Sequence, residues 1–147
     1  MKPRTISQNE IQEKWYVVDA AGQRIGRVAS ITSELLLGKN DPKVRSNLDP
    51  KSKVIVINAD KIDFTPKRGF SKFYKSYSGF PGGLTFISLE EKFEKNKTFP
   101  LENAIKGMLP KNKRGSMIFT NLKVYEGSEH PHTAQQPITI DLSSYKL

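Results

Sequence analysis

Val54-Ile55-Val56-Ile57 is apolar and β-branched at every position. Such a run has no polar side to offer water. It reads as a strand covered on both faces, the pattern of a central strand in a parallel sheet. Two parallel strands need a crossover between them, and the sequence upstream supplies one. Trp15-Tyr16-Val17-Val18 is a second continuous apolar run, read as a strand, and Asp19-Ala20-Ala21-Gly22 is the turn leaving it. From about Arg24 to Leu37, residues Ile25, Val28, Ala29, Thr32, Leu35 and Leu36 recur at helical spacing and form one face. Gly38 stops that helix as a C-terminal cap residue. Strand, helix and strand make a βαβ unit, expected to be right-handed, and the fold class is α/β.

Outward from this unit the chain becomes more polar. Residues 1–13 are expected to be an extended or mobile extension. Lys39 to Lys53 is a long connection carrying Lys39, Lys43 and Arg45, and loops of that length are often functional. Residues 61–87 are basic, aromatic and glycine-rich. Within them Phe73-Tyr74-Lys75-Ser76-Tyr77 reads as a strand, and Gly79, Pro81, Gly82 and Gly83 as a turn. Ser88-Leu89-Glu90-Glu91 has the capping-box pattern that opens a helix. Another helix starts near Pro100, with Leu101, Ala104, Ile105 and Met108 on one face, and Pro110 ends it. Ser116 to Tyr125 reads as a short helix running into a last strand. After Gly127 the chain is polar and broken by proline. The expected organisation is one domain over 14–137, with an N-terminal extension over 1–13 and a tail over 138–147.

With 147 residues, the chain can bury roughly 68–70% of the surface its unfolded form exposes, enough for a core without staples. There are no cysteines. Disulfides, thiolate metal sites and cysteine nucleophiles are therefore excluded. No signal peptide or apolar membrane span is visible, so a soluble, unprocessed chain is expected. The net charge is +9 and the pI about 9.7. A surplus of this size attracts polyanions. Nucleic acid is the first partner to consider and an anionic membrane surface the second, though no basic amphipathic helix favours the membrane.

The positive charge is concentrated. Lys61, Lys67, Arg68, Lys72 and Lys75 face Asp63 alone between residues 61 and 75. Lys106, Lys111, Lys113, Arg114 and Lys123 face no acid between 106 and 123. Two acid-poor segments in an otherwise mixed chain read as phosphate-facing surfaces rather than ordinary solvated faces. Phe70, Phe73, Tyr74, Tyr77 and Phe80 interleave with cations and glycines, which suits stacking on unpaired bases. Alternate members could equally line a buried strand face. Trp15, Tyr16, Phe93 and Phe119 are expected in the core.

Gly22 and Gly26 sit between a strand and a helix, where a turn can hold phosphate at the helix N-terminus. They do not make the dinucleotide fingerprint. A tight turn with close helix packing is the plainer reading, with Arg24 and Arg27 still placed to meet nucleic-acid phosphates. His130-Pro131-His132 falls short of a zinc ligand set, because Glu129 is the only nearby partner. Contact with RNA is the better use for these imidazoles. No nucleophile–base pair or general acid–base pair is marked, so no catalytic residues, metal or cofactor are expected.

Several ordered blocks carry a family resemblance. They are Lys106-Gly107-Met108-Leu109-Pro110-Lys111, Leu122-Lys123-Val124-Tyr125, Gly127, Glu129-His130-Pro131-His132 and Ala134-Gln135-Gln136-Pro137. Trp15 to Ala20, Gly26-Arg27, Gly38-Lys39, Asn58-Ala59 and Gly82-Gly83 agree with them. Together they resemble the signature of the bacterial ribosomal protein L-thirteen family, over about Lys14 to Pro137. The resemblance implies a single α/β domain with a mostly parallel four-stranded sheet flanked by helices. It implies a cytoplasmic, structural component of the large ribosomal subunit that joins early in assembly. Its partners would be large-subunit (23S-type) rRNA and neighbouring ribosomal proteins, with no membrane and no small-molecule substrate. The chain departs from the family pattern at Arg45-Ser46-Asn47-Leu48-Asp49, at Ser52-Lys53, at Tyr77 and at Arg114-Gly115-Ser116, which bears on RNA contacts at Asn47, Tyr77 and Ser116.

Charge and resemblance together select Arg24, Arg27, Lys39, Lys72, Lys111 and Lys123 for phosphates, and the acid-poor segments add Lys75 and Lys113 as rRNA-binding candidates. Arg114 is basic and loop-placed but off the pattern. His130, His132, Gln135 and Gln136 offer stacking and polar contacts. A free RNA-binding translational regulator using the same basic surface is the alternative. A nucleotide-dependent enzyme using the Gly22–Gly26 turn comes third.

Overall fold

The computed structural model describes residues 6–45, 47–64 and 72–142. Ser46, Lys67, Arg68, Phe70 and the last five residues lie outside the described part. The strands are β1 (Lys14–Asp19), β2 (Ser52–Ile57), β3 (Phe73–Tyr77), β4 (Leu84–Ser88), β5 (Leu122–Val124) and β6 (Ile138–Ile140). The helices are α1 (Ile25–Leu36), α2 (Leu89–Lys95), α3 (Phe99–Met108) and α4 (Lys113–Phe119). The main sheet has the order β5-β2-β1-β6 and is parallel throughout. A separate two-stranded antiparallel sheet pairs β3 with β4.

The two apolar runs became the two inner strands. β2 is paired on both sides, so its ladder groups are satisfied by β1 and β5. Along β1 and β2, Tyr16, Val18, Val54 and Val56 join one core cluster with Leu35, Leu36, Leu101, Ile105 and Ile118 of the helices. Alternate residues point the other way. There Val17 and Ile55 are buried as well. The chain leaves β5 at one edge and must reach β6 at the other. The connection 126–137 brings His132 against Trp15 and Tyr125 on that second face. The helices thus pack on one face, and part of the second is covered by an irregular segment.

Helix α1 ends as its composition dictates. Gly38 adopts φ +71°. Its N–H donates to Leu35 O, and the N–H of Lys39 donates back to Glu34 O. These two bonds satisfy carbonyls the helix end would otherwise leave open. Ile31, which the sequence reading omits, is fully buried beside Thr32 and Leu35. Truncating such a side chain to Ala costs about 2–5 kcal/mol.

Several expectations need correction. Leu84–Ser88 is a strand in a stretch to which the sequence assigns no element before the helix start at Ser88, and β6 follows the expected last strand, inside the stretch set apart as a tail. Met108 was placed on the buried face of its helix but is exposed, because α3 ends there. Residues 6–13 do not trail away from the domain. Ile11 is buried, and the Gln8 side chain both donates to Asp49 O and accepts from Asp49 N. Of the aromatics expected in the core, Tyr16 is buried, while Trp15, Phe93 and Phe119 are half-buried.

Candidate nucleic-acid interface

The two acid-poor segments fold into different places. The segment from Lys106 to Phe119 wraps around a groove of about 620 Å³ lined by Lys106, Lys111, Lys113, Ser116 and Phe119. The three lysines are exposed. The groove exists because Pro110 ends α3 and the chain turns back into α4 within a few residues. Asn112 caps α4 by accepting the N–H of Gly115 at 2.8 Å. Gly115 is buried against the carbonyl of Pro110, where any side chain would collide.

A second hollow of about 300 Å³ shares Pro110 and Asn112 with the first and adds Lys39, Arg45 and Arg114. The long connection and the α3–α4 turn therefore meet, and residues far apart in sequence form one basic surface. Arg114 is partly committed within it. Its Nη2 donates to Leu48 O, and its Nε lies 3.3 Å from Asp49 Oδ1. Arg114 thus ties the long connection to α4, a task that sequence alone does not reveal because Asp49 is distant along the chain.

Arg24 and Arg27 are exposed at the start of α1. Ser30 Oγ lies 3.7 Å from Met108 Sδ, so this face of α1 abuts the end of α3. The Gly22 turn itself is engaged internally. Gly22 N–H donates to Lys61 O, Ile25 N–H to Asp63 O and Gln23 N–H to Ala20 O. Amides used this way are not offered to a phosphate, which weakens the nucleotide-enzyme reading. The glycines also differ from expectation. Gly22 has φ +65° and is required by its turn, but a Cβ on Gly26 would meet nothing within 4 Å. Close helix packing does not explain Gly26.

On the second sheet face, Lys123 is exposed and the histidines are half-buried. His132 Nε2 is 2.8 Å from the Tyr125 hydroxyl, and its ring lies 5.2 Å from that of Trp15. His130 stacks at 6.4 Å on His132, and its Nδ1 accepts the His132 N–H. His132 is thus part of the packing that holds the 126–137 crossing. Gln135 and Gln136, by contrast, are exposed. Lys53 lies 4.7 Å over the Trp15 ring and is ion-paired to Glu13, whose carboxyl is held below its usual pKa chiefly by that Lys53 hydrogen bond.

Lys72 and Lys75 are exposed on the β3–β4 hairpin, apart from the groove. The structure thus gathers Lys39, Lys111, Lys113 and Arg114, keeps Arg24 and Arg27 at the start of α1 outside both hollows, and leaves Lys72 and Lys75 on a second surface. Lys123 and the His130–Gln136 stretch occupy a third. Lys106 of the second acid-poor segment and Arg45 of the long connection, neither of them among the residues selected from the sequence, belong to the first group. Among the described residues, no cluster of three or more His, Asp or Glu could hold a metal ion, and no helix is long and apolar enough to cross a membrane.

The family model described as "Ribosomal protein L13" matches residues 13–131. The large ribosomal subunit protein uL13 of Spiroplasma citri is 45% identical over 145 residues, covering 98% of this chain and 99% of that protein. The protein of the same name from Synechococcus elongatus is 45% identical over 142 residues, covering 95% and 92%. That of Caldanaerobacter subterraneus subsp. tengcongensis is 41% identical over 142 residues, covering 97% and 99%.

Proposed function

The chain belongs to the Ribosomal protein L13 family, and from that premise we propose that it is a cytoplasmic, structural constituent of the large ribosomal subunit, without catalytic activity, that binds and organises large-subunit rRNA during early assembly. The observation that carries the RNA reading is the groove at the α3–α4 turn. Lys106, Lys111 and Lys113 line it, all exposed, with Lys39 and Arg45 in the adjoining hollow. Confining like charges to one concave surface has a self-repulsion cost, and a polyanion relieves it. The spread of the basic groups over three surfaces fits a protein set among several RNA segments and neighbouring ribosomal proteins.

The test is binding of the full chain to large-subunit rRNA at rising salt, with Lys111→Glu and Lys113→Glu as variants. Each lost phosphate contact should lower affinity and flatten the plot of log affinity against log salt by about 0.7–0.9. An unchanged slope and affinity in both variants would remove the groove from the interface.

A further inference from the structure

The β3–β4 hairpin has two unlike faces. Residues directly opposite each other in an antiparallel pair share a face. The register pairs Phe73 with Ser88, Lys75 with Phe86 and Tyr77 with Leu84, so these six form one face, and Tyr74 with Ile87 belongs to the other. The inner face is anchored. Tyr74 packs edge-on against Phe99 of α3 at 5.3 Å, and burial pushes its hydroxyl pKa up. The outer face is bare among the described residues. Phe73 is 56% exposed, Tyr77 64%, Leu84 51% and Phe86 54%, and Phe80 at the turn is 72% exposed. Lys75 stands in the middle of this face with Nζ 5.6 Å from the Phe86 ring centre. From Lys72 to Ser88 there is no Asp or Glu.

We infer that this outer face is a stacking platform for unpaired bases of RNA, with Phe73, Tyr77 and Phe86 each taking a base and Lys75 meeting the phosphate between them. The inference rests on the rRNA-binding reading and adds what this surface recognises. Three of the four large apolar groups on the face are rings, and every base offers a π-face to a ring. Phe73 and Tyr77 are four residues apart on one strand, about 13 Å, so they serve separate bases. A protein partner would also cover apolar surface, but the cores of protein interfaces are depleted in lysine, and here the lysine is central. A nucleic acid turns that same lysine into an attraction.

The experiment compares the full chain on two probes of equal phosphate count, a single-stranded oligouridylate and its abasic ribose-phosphate counterpart. The variants are Phe73→Leu, Tyr77→Leu and Phe86→Leu, which keep apolar bulk and remove the ring. All three positions are more than half exposed, so the fold is not at stake. The wild-type chain should bind the base-bearing probe more tightly. Each Leu variant should weaken that binding by about five-fold or more and leave the abasic probe unchanged. Equal affinity for both probes, or variants that bind like wild type, would overturn the platform. Salt-dependent binding to large-subunit rRNA would then still stand as a separate result. Variants that keep oligouridylate binding but leave the large subunit would show that the hairpin docks on protein, which also overturns the inference. Loss of all rRNA binding by the wild-type chain would remove both readings.

Discussion

Gly115→Ala sets two local effects against each other. Gly115 lies inside α4, where alanine is the better helix former by about 1 kcal/mol. By propensity alone the substitution stabilises. The added Cβ, however, would sit 1.8 Å from the carbonyl oxygen of Pro110 and 2.8 Å from its carbonyl carbon. Those atoms are backbone and cannot rotate away. Relief requires α4 and the end of α3 to separate, which moves buried Leu109 and Ile118. Overpacking of this kind costs about 1–3 kcal/mol, occasionally more, and a contact this short on a rigid neighbour belongs at the upper end. The net loss is about 2 kcal/mol once the propensity gain is subtracted. For a chain of this size that lowers Tm by about 4–8 °C. Thermal unfolding followed by circular dichroism reads this directly. A Tm equal to or above that of the parent would refute the close approach, and with it the geometry that sets Lys111 and Lys113 around one groove.

At the other end of that surface, Gly38→Ala should cost about 1–2 kcal/mol, because its φ of +71° strains an L residue and its Cβ would meet Pro50 Cβ at 3.0 Å; denaturant unfolding measures it. Removing the α4 cap with Asn112→Ala should cost about 1 kcal/mol by the same assay. The Lys14–Asp41 pair, 3.0 Å apart, gives a pH signature. Asp41 is held below its ordinary pKa of 3.8, first by the Lys43 backbone N–H and then by Lys14. Its contribution is therefore complete above pH 3.8 and lost as pH falls through the folded value. Lys14 is held above its ordinary 10.5, chiefly by Asp41, so its contribution is complete below that pH and fades on the alkaline side. Asp41→Asn should lower stability at neutral pH by about 1 kcal/mol or less, since Lys14 remains partly in water, and match the parent in strong acid. A constant difference from neutral to acid would contradict the pairing.

Residues that answer to local rules were the ones legible in the sequence. Val54 to Ile57 and Trp15 to Val18 declared inner strands because nothing in them could face water. Gly38 declared a helix end because its conformation is scarcely open to other residues. Ser88 declared a helix start, and its side chain does accept the Glu91 N–H. β4 and β6 were missed for a shared reason. Leu84-Thr85-Phe86 has its apolar members on the exposed face, and Ile138-Thr139-Ile140 is a three-residue edge strand directly after a proline. Neither carries the burial pattern that marks a strand. The site was legible as charge but not as arrangement. Lys106, Lys111 and Lys113 announce themselves by the absence of acids nearby. That Arg114 is drawn toward Leu48 and Asp49, and that Lys39 and Arg45 join the same surface, depends on contacts between segments far apart in the chain. The hairpin aromatics could be assigned to inner and outer faces only once the β3–β4 register was known, and Phe86 entered only then.

The most direct test of a structural ribosomal role is to sediment ribosomes from the source cells and follow this chain by mass spectrometry through washes of rising salt. A protein set into folded rRNA should remain with the large subunit at about one copy each and resist moderate salt, although its phosphate contacts weaken as salt rises. A chain that stays in the supernatant even at low salt would contradict that role and return the free RNA-binding regulator to first place.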